Sequence, residues 1–168
     1  MRRHKLSAPI AIAVEKKVLT PDLSHLDIGC GRGFDSSHLK AMGYESLGFD
    51  PYYAPDTEKQ PADVVSLCYV LGVIEDPEER CKTLKEAWAL TKKKLLVASQ
   101  VQHSRGTIPY GDGYLTAWKT FARYWNEPSF RQYVEEVTGA KAKRLGKGIL
   151  LVQKEQLSES TVDAPSGE

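Results

Sequence analysis

The chain has 168 residues, a mean hydropathy of −0.40 and a formal net charge of +1, from 23 basic and 22 acidic side chains. This length predicts one domain with its own hydrophobic core, and the balanced charge does not favour a strongly basic or acidic binding surface. No stretch reads as a membrane span or a signal peptide, so we expect a cytoplasmic protein without a membrane role. Three cysteines without paired or metal-ligand spacing indicate small buried side chains in a reducing compartment, and four scattered histidines predict no metal site.

The folded domain is expected to span residues 1–155. Residues 156–168 are rich in Ser, Glu, Pro and Gly without periodicity, which is typical of a disordered tail. Near the other end, Ser7 is a candidate N-cap for a first helix over residues 8–17.

The most informative segment is a short strand that runs into three glycines at alternate positions. The strand is predicted over residues 23–28, the glycines are Gly29, Gly31 and Gly33, and a helix is predicted over residues 35–42. Glycine permits the tight turn and lets a ligand lie against the backbone. The free N–H groups of the helix start point at the same place. Together these features predict a nucleotide-type site at the carboxyl ends of parallel strands.

The residues around the turn indicate which nucleotide is bound. A dinucleotide fingerprint needs a glycine where Phe34 stands, and a phosphate-binding loop needs a terminal Gly-Lys-Ser/Thr that the sequence lacks. Asp27, two positions before the first glycine, suits a ligand with an ammonium group. Asp50 ends a strand predicted over residues 46–50, where a carboxylate can accept both ribose hydroxyls. This combination predicts an S-adenosylmethionine (SAM) site; a glycine turn without a ligand is the alternative.

Four stretches extend this pattern: DIGCGRGFD at residues 27–35, GFDPYY at 48–53, ADVV at 62–65 and YVLGVIEDP at 69–77. They resemble the class I SAM-dependent methyltransferases and, more narrowly, the DNA phosphorothioation-associated methyltransferases. The resemblance covers roughly residues 4–154. It implies SAM as cofactor, S-adenosylhomocysteine (SAH) as product and a link to nucleic-acid modification, but it does not identify the methyl acceptor.

The expected cofactor contacts lie at the ends of the first, second and central strands. Asp27 should favour the methionine amine, Asp50 should hold the ribose, and the backbone near Leu71 should lie beside the methionine or adenosine. The full expected set is Asp27, Gly29, Cys30, Gly31, Gly33, Asp50, Pro51, Tyr52 and Leu71.

The connection after the second strand is unusually short. Residues 51–62 separate Asp50 from Asp63 and contain three prolines, which leaves too little chain for a helix and another parallel strand. We therefore expect the usual third strand to be missing. Tyr52 or Tyr53 would then cover the adenine by stacking, unless both only pack within the proline-rich loop.

The rest of the chain predicts the remaining layers of an α/β sandwich. Asp76 and Pro77 are typical of a helix start. The other predicted elements are strands over residues 63–69, 95–100, 141–145 and 149–154, helices over 77–90, 115–125 and 128–138, a turn over 91–94 and a polar loop over 101–113. The expected fold is a Rossmann-like three-layer sandwich, with a shortened, mostly parallel sheet of about six strands and an antiparallel last strand.

Methyl transfer depends on positioning the acceptor and can be helped by a base. Glu75, after the central strand, and His103, after the next one, are the candidate catalytic residues. Helix capping and a solvated loop histidine are the structural alternatives. Asp76 is better explained as a helix cap, and Asp112 lies between two glycines, as in a substrate lid or a turn.

The acceptor is not identified by the sequence. The chain lacks the Asn/Asp-Pro-Pro-Tyr and Pro-Cys motifs of DNA base methylation, and its basic clusters near residues 2–5, 92–94 and 141–147 are more typical of solvated faces than of a nucleic-acid footprint. We therefore expect SAM-dependent methyl transfer to an unidentified acceptor. The alternative is a non-catalytic SAM- or SAH-binding subunit of a larger modification complex.

Overall fold

The computed structural model describes residues 5–155, so the expected tail at residues 156–168 lies outside the described residues. The strands are β1 (Ser24–Ile28), β2 (Glu45–Phe49), β3 (Ala62–Cys68), β4 (Thr91–Ala98), β5 (Ile108–Tyr110), β6 (Gly113–Leu115), β7 (Phe121–Ala122), β8 (Ala142–Gly146) and β9 (Ile149–Gln153). The helices are α1 (Ala8–Glu15), α2 (Phe34–Ala41), α3 (Pro77–Leu90) and α4 (Glu127–Thr138).

Six strands form the main sheet in the order β2-β1-β3-β4-β9-β8. The strands β1 to β4 run parallel, and β9 pairs antiparallel with both β4 and β8. The connection from β2 to β3 contains no helix and no strand of this sheet, so β2 is the outer strand. This confirms the shortened sheet and the antiparallel last strand expected from the sequence.

Helices cover both faces of the sheet and divide the apolar core in two. On one face, Ile10 of α1 and Leu39 of α2 pack in a cluster with Leu96 of β4. On the other face, Leu84 of α3 and Phe130 of α4 belong to a second cluster. The strand β3 contributes buried residues to both clusters, as expected of a central parallel strand. No helix within residues 5–155 is long and apolar enough to cross a membrane.

The helix predicted over residues 115–125 is wrong, because this segment belongs to a small sheet of β5, β6 and β7. Its apolar spacing suits a helix, but Trp118 is 88% exposed in the turn between β6 and β7. The backbone of Lys119 is left-handed, with φ of 58°, and cannot continue a helix. Gly113 allows Phe121 to pack directly against it, because a Cβ there would lie 2.6 Å from the ring. The polar loop predicted over residues 101–113 likewise contains β5.

Four other local predictions need correction: those for the turn over residues 91–94, the end of the first helix, the Ser7 cap and the burial of the cysteines. The turn predicted over residues 91–94 is the start of β4, because Thr91 pairs with β3 directly after α3 ends. The first helix ends at Glu15. Ser7 has the extended backbone of an N-cap, but its hydroxyl makes no capping bond. The three cysteines are free and only half-buried.

The predicted cap of α3 is confirmed: the carboxylate of Asp76 accepts a hydrogen bond from the N–H of Glu78 at 2.9 Å.

Candidate functional site

The glycine turn connects β1 to α2 through three left-handed residues. Gly29, Gly31 and Gly33 have φ angles of 78°, 54° and 72°. A Cβ at Gly29 would lie 2.3 Å from a methyl group of Val70, so this glycine is required for packing. A Cβ at Gly31 or Gly33 would meet no atom within 4 Å, so the turn presents open backbone there.

Asp50 joins the turn to the loop that follows β2. Its Oδ2 accepts a hydrogen bond from the N–H of Gly31 at 2.9 Å. Its Oδ1 accepts from the N–H groups of Tyr52 and Tyr53 at 2.9 and 3.0 Å. Partial burial favours the neutral carboxyl, but the three donors outweigh it and lower the pKa of Asp50. The carboxylate is therefore ionised near neutral pH, and about one of its roughly four acceptor positions remains for a ligand hydroxyl.

The two tyrosines differ in their surroundings. Tyr52 is 81% exposed, whereas the ring of Tyr53 lies 5.0 Å from the guanidinium carbon of Arg32. The rings meet edge to face at 4.8 Å, and Pro51 before them is exposed. Tyr53 also lines a cavity of about 360 Å³ together with the glycine turn and the start of α2. Both rings are accessible for stacking, and the Tyr53 ring has an additional contact with Arg32 that restricts its position.

Asp27 lies near the end of β1, and Cys30 lies within the glycine turn, between Gly29 and Gly31. Asp27 is buried and accepts a hydrogen bond from the hydroxyl of Ser66 at 2.6 Å. Burial and the nearby carboxylates of Asp27 and Asp50 raise the pKa of the Cys30 thiol to about 11. Cys30 therefore stays protonated near neutral pH and contributes shape rather than a nucleophile.

The segment after β3 closes over the turn from the other side. Tyr69 has a left-handed backbone, with φ of 63°, which is uncommon for a bulky residue. Val70 contacts Gly29, and Leu71 begins a single 3-10 turn, Leu71–Val73. The side chain of Leu71 is fully buried in the core, so only its backbone can face a ligand.

The small sheet is joined to the loop before α3 by a buried arginine. The Arg80 guanidinium is 3% exposed and donates to Asp112 at 2.7 and 3.2 Å. It also donates to the carbonyl of Ile74 at 2.7 and 3.1 Å and to that of Glu75 at 3.2 Å. Arg123 adds a second ion pair to Asp112 at 2.8 Å. The hydrogen bond from Arg80, with the charges of both arginines, lowers the pKa of Asp112, so this carboxylate has a structural role.

The two candidate catalytic residues lie in different surroundings. Glu75 is exposed on the wall of a cavity of about 480 Å³ between the start of α3 and the turn joining β5 to β6. His103 packs edge to face on Tyr114 at 4.2 Å and lies 4.9 Å from the ring of Tyr124. The Nε2 of His103 is 3.3 Å from the hydroxyl of Thr107.

Sequence reasoning missed three buried polar residues that lead to Asp27. Ser66 contacts His25, and His25 in turn contacts Ser46. The available signal was the presence of polar residues at alternate positions of strands that are otherwise apolar.

Residues 2–139 match the methyltransferase domain family, so the chain belongs to this family. No curated protein was found to match the sequence.

Solved structures with a similar fold include several methyltransferases. The 1,6-didemethyltoxoflavin-N1-methyltransferase of Burkholderia thailandensis, solved with SAH, has a TM-score of 0.65 and 14% identity, over 89% of this chain and 79% of that one. The magnesium protoporphyrin IX methyltransferase of Synechocystis, also solved with SAH, has values of 0.61 and 19%, over 87% and 80%. A sugar N-methyltransferase of Streptoalloteichus has values of 0.63 and 12%, over 91% and 89%. These similarities show that the fold is that of SAM-dependent methyltransferases.

Proposed function

We propose that this protein is a SAM-dependent methyltransferase whose cofactor lies across the glycine turn and Asp50. The observation that carries the proposal is the 2.9 Å hydrogen bond from the N–H of Gly31 to Asp50, which holds the open turn against an ionised carboxylate. A ribose hydroxyl can donate to the remaining acceptor position of that carboxylate.

The surrounding residues suit the other parts of SAM. Asp27 provides a carboxylate for the methionine amine, and Tyr53 or Tyr52 provides a ring for the adenine. The buried hydroxyl of Ser7 has no protein partner within residues 5–155 and suits a polar ligand atom at the start of α1. SAM, when bound, supplies an electrophilic methyl group on its sulfonium. The chain's own contribution is to hold the cofactor and the acceptor in line and to exclude water.

The acceptor side is formed by the loop after β3 and the small sheet. We assign Glu75 as the first candidate for removing a proton from the acceptor, because its carboxylate lines the cavity between these elements. His103 is the second candidate, since its ring lies among aromatic side chains that could contact an acceptor. The acceptor class is open. The sequence resemblance to phosphorothioation-associated enzymes makes nucleic acid one class to screen, beside small amines and hydroxyls.

Calorimetric titration of SAM tests the cofactor site. We expect micromolar binding to the wild type and at least about tenfold weaker binding to Asp50→Ala, which loses a charge-assisted contact. Asp63→Ala is a matched control: its carboxylate also accepts from a backbone N–H, that of Ser24 at 3.0 Å, but at the opposite end of the sheet. Absence of SAM binding by the wild type would refute the proposal.

Turnover of methyl-labelled SAM with a panel of acceptors tests catalysis. The panel should contain DNA, RNA, small amines and hydroxyl compounds. Glu75→Gln and His103→Ala should lower methyl transfer while leaving SAM affinity unchanged if each acts on the acceptor. SAM binding without turnover on any acceptor would instead favour the non-catalytic binding subunit.

A further inference from the structure

A row of four polar side chains crosses three strands within the buried face under α1 and α2. It consists of Ser46 on β2, His25 and Asp27 on β1, and Ser66 on β3. Their exposed fractions are 2%, 2%, 6% and 0%. The register places His25 opposite Ser46 and Asp27 opposite Ser66, so all four point to one face of the sheet. We call this row the buried polar chain.

Three hydrogen bonds connect the buried polar chain from end to end. The Ser46 hydroxyl lies 2.8 Å from Nδ1 of His25, and Nε2 of His25 lies 2.9 Å from the Ser66 hydroxyl. Ser66 then donates to the carboxylate of Asp27 at 2.6 Å. The chain therefore ends on a residue of the proposed cofactor site.

The proton positions follow from the number of donors on each group. Ser66 has one hydroxyl proton, which it gives to Asp27, so its oxygen must accept from an Nε2–H of His25. A neutral imidazole with its proton on Nε2 has a bare Nδ1, which accepts from Ser46. Burial lowers the pKa of His25 to about 4, and the charge of Asp35 on α2 opposes this only in part. His25 is therefore neutral near neutral pH, and every hydrogen bond points toward Asp27.

Stability alone does not explain this arrangement. Strands of a parallel sheet are ordinarily apolar on both faces, and apolar side chains of similar volume would avoid the cost of burying four polar groups. A fully connected chain of hydrogen bonds, by contrast, fixes the orientation of its last member. Here the last member is the carboxylate beside the glycine turn.

We propose that Ser66 and His25 are positioning residues of the cofactor site, which hold the Asp27 carboxylate toward the amine of SAM through a one-directional hydrogen-bond chain that begins at Ser46. This inference rests on the proposed function and adds residues that contact no cofactor themselves.

A double-mutant cycle on SAM affinity tests the proposal. We expect Ser66→Ala to weaken SAM binding about tenfold, because a charge-assisted hydrogen bond to Asp27 is lost. In the Asp27→Asn background, the same Ser66→Ala substitution should change the dissociation constant less than about twofold, because there is no longer a carboxylate to orient. Thr91→Val is the control: it removes a similarly buried hydroxyl, bonded to the carbonyl of Ala87 at 2.7 Å, away from the chain.

Substitutions at His25 distinguish positioning from packing. His25→Gln keeps an N–H donor at the end of a side chain of similar reach and should restore most of the SAM affinity that His25→Leu loses. Long-range proton–nitrogen spectra of the protein without cofactor should show the His25 proton on Nε2 and none on Nδ1 near neutral pH.

The outcomes separate this inference from the proposed function. If the wild type does not bind SAM, both fail. If SAM binds and Asp27→Asn weakens it, but Ser66→Ala has the same effect in both backgrounds or none, only this inference fails. A proton on Nδ1 of His25 would also overturn it, whatever the affinities.

Discussion

The end of the main sheet that carries the glycine turn and Asp50, which we call the proposed cofactor end, differs from the small sheet in the kind of contact that stabilises it. At the proposed cofactor end, the single carboxylate of Asp50 accepts hydrogen bonds from backbone N–H groups of the glycine turn and of its own loop. All three donors lie within 19 residues of Asp50 in the sequence. In the small sheet, Asp112 is held by the side chains of Arg80 and Arg123, and Arg80 lies 32 residues away on α3. The first arrangement consists of hydrogen bonds from backbone N–H groups, whereas the second consists of ion pairs between side chains.

This contrast assigns different tasks to the two regions. A site made of backbone groups binds its ligand, here the proposed SAM, through atoms that do not depend on residue type. Such a site tolerates substitutions of the protein side chains around it. A region held by side-chain ion pairs can change its surface without altering the sheet beneath it. We therefore expect the small sheet to determine the choice of acceptor.

The largest effect is expected from removing the arginine that joins the small sheet to the loop before α3. Arg80→Met deletes the buried cation, leaves two loop carbonyls without this donor and leaves Asp112 with Arg123 as its remaining ion-pair partner. The free energy of unfolding should therefore fall by roughly 3 kcal/mol. Urea denaturation measures this loss. Hydrogen exchange should accelerate more in β5 to β7 than in the glycine turn, because the lost contacts lie at the small sheet.

Arg144→Met is the control for this prediction. Arg144 pairs with Glu127 at 2.7 Å but is 52% exposed, so the denaturation midpoint should barely move. An acceleration of exchange in the glycine turn of Arg80→Met as large as that in β5 to β7 would contradict the separation of the two regions.

The second effect concerns His25 of the buried polar chain and depends on pH. His25 is neutral in the folded protein because burial lowers its pKa to about 4, whereas the unfolded chain binds a proton near 6.5. Proton uptake by His25 therefore favours the unfolded state below pH 6.5. The stability lost in this way is nearly complete once the pH reaches about 4. The difference between these values corresponds to about 3 kcal/mol of unfolding free energy.

Denaturation curves of the wild type and His25→Gln between pH 7 and pH 4 measure this contribution. The groups facing the imidazole are Ser46 and Ser66 on the neighbouring strands and Asp35 on α2, whose charge partly opposes the shift. The carboxylates with lowered pKa values, such as Asp50, stabilise the fold above about pH 3.8 and lose that effect only below it. If the unfolding free energies of the two proteins fell equally between pH 7 and pH 4, His25 would take up its proton in the folded state as readily as in the unfolded state.

The same contrast explains which features could be predicted from the sequence. The glycine turn, the Asp76–Pro77 helix start and the missing third strand are encoded within a few neighbouring residues, and the sheet order agrees with them. The helix predicted over residues 115–125 is wrong because Phe121 packs on Gly113 and Arg123 pairs with Asp112, and apolar spacing reveals neither contact.

The candidate site divides in the same way. The spacing of the glycine turn and the following strand singled out Gly31 and Asp50 as candidates, but the hydrogen bond between them was not predicted. The buried polar chain was missed because its members come from three strands, and their register is known only in the fold. The roles of Glu75 and His103 stay predictions, since they depend on where an acceptor lies.

The smallest effect on stability should come from two matched glycines. Gly33 starts α2 with φ of 72°, and Gly139 ends α4 with φ of 69°; a Cβ at either meets no atom within 4 Å. Substitution by Ala therefore imposes similar left-handed strain, and each variant should lose about 1 kcal/mol of unfolding free energy. Only Gly33→Ala places a methyl group on the open backbone proposed for the cofactor, so only this variant should weaken SAM binding. Equal SAM affinity in the two variants, at equal stability, would mean that the cofactor does not lie against the glycine turn. The site would then not be built from backbone groups, and its contrast with the side-chain ion pairs of the small sheet would no longer hold.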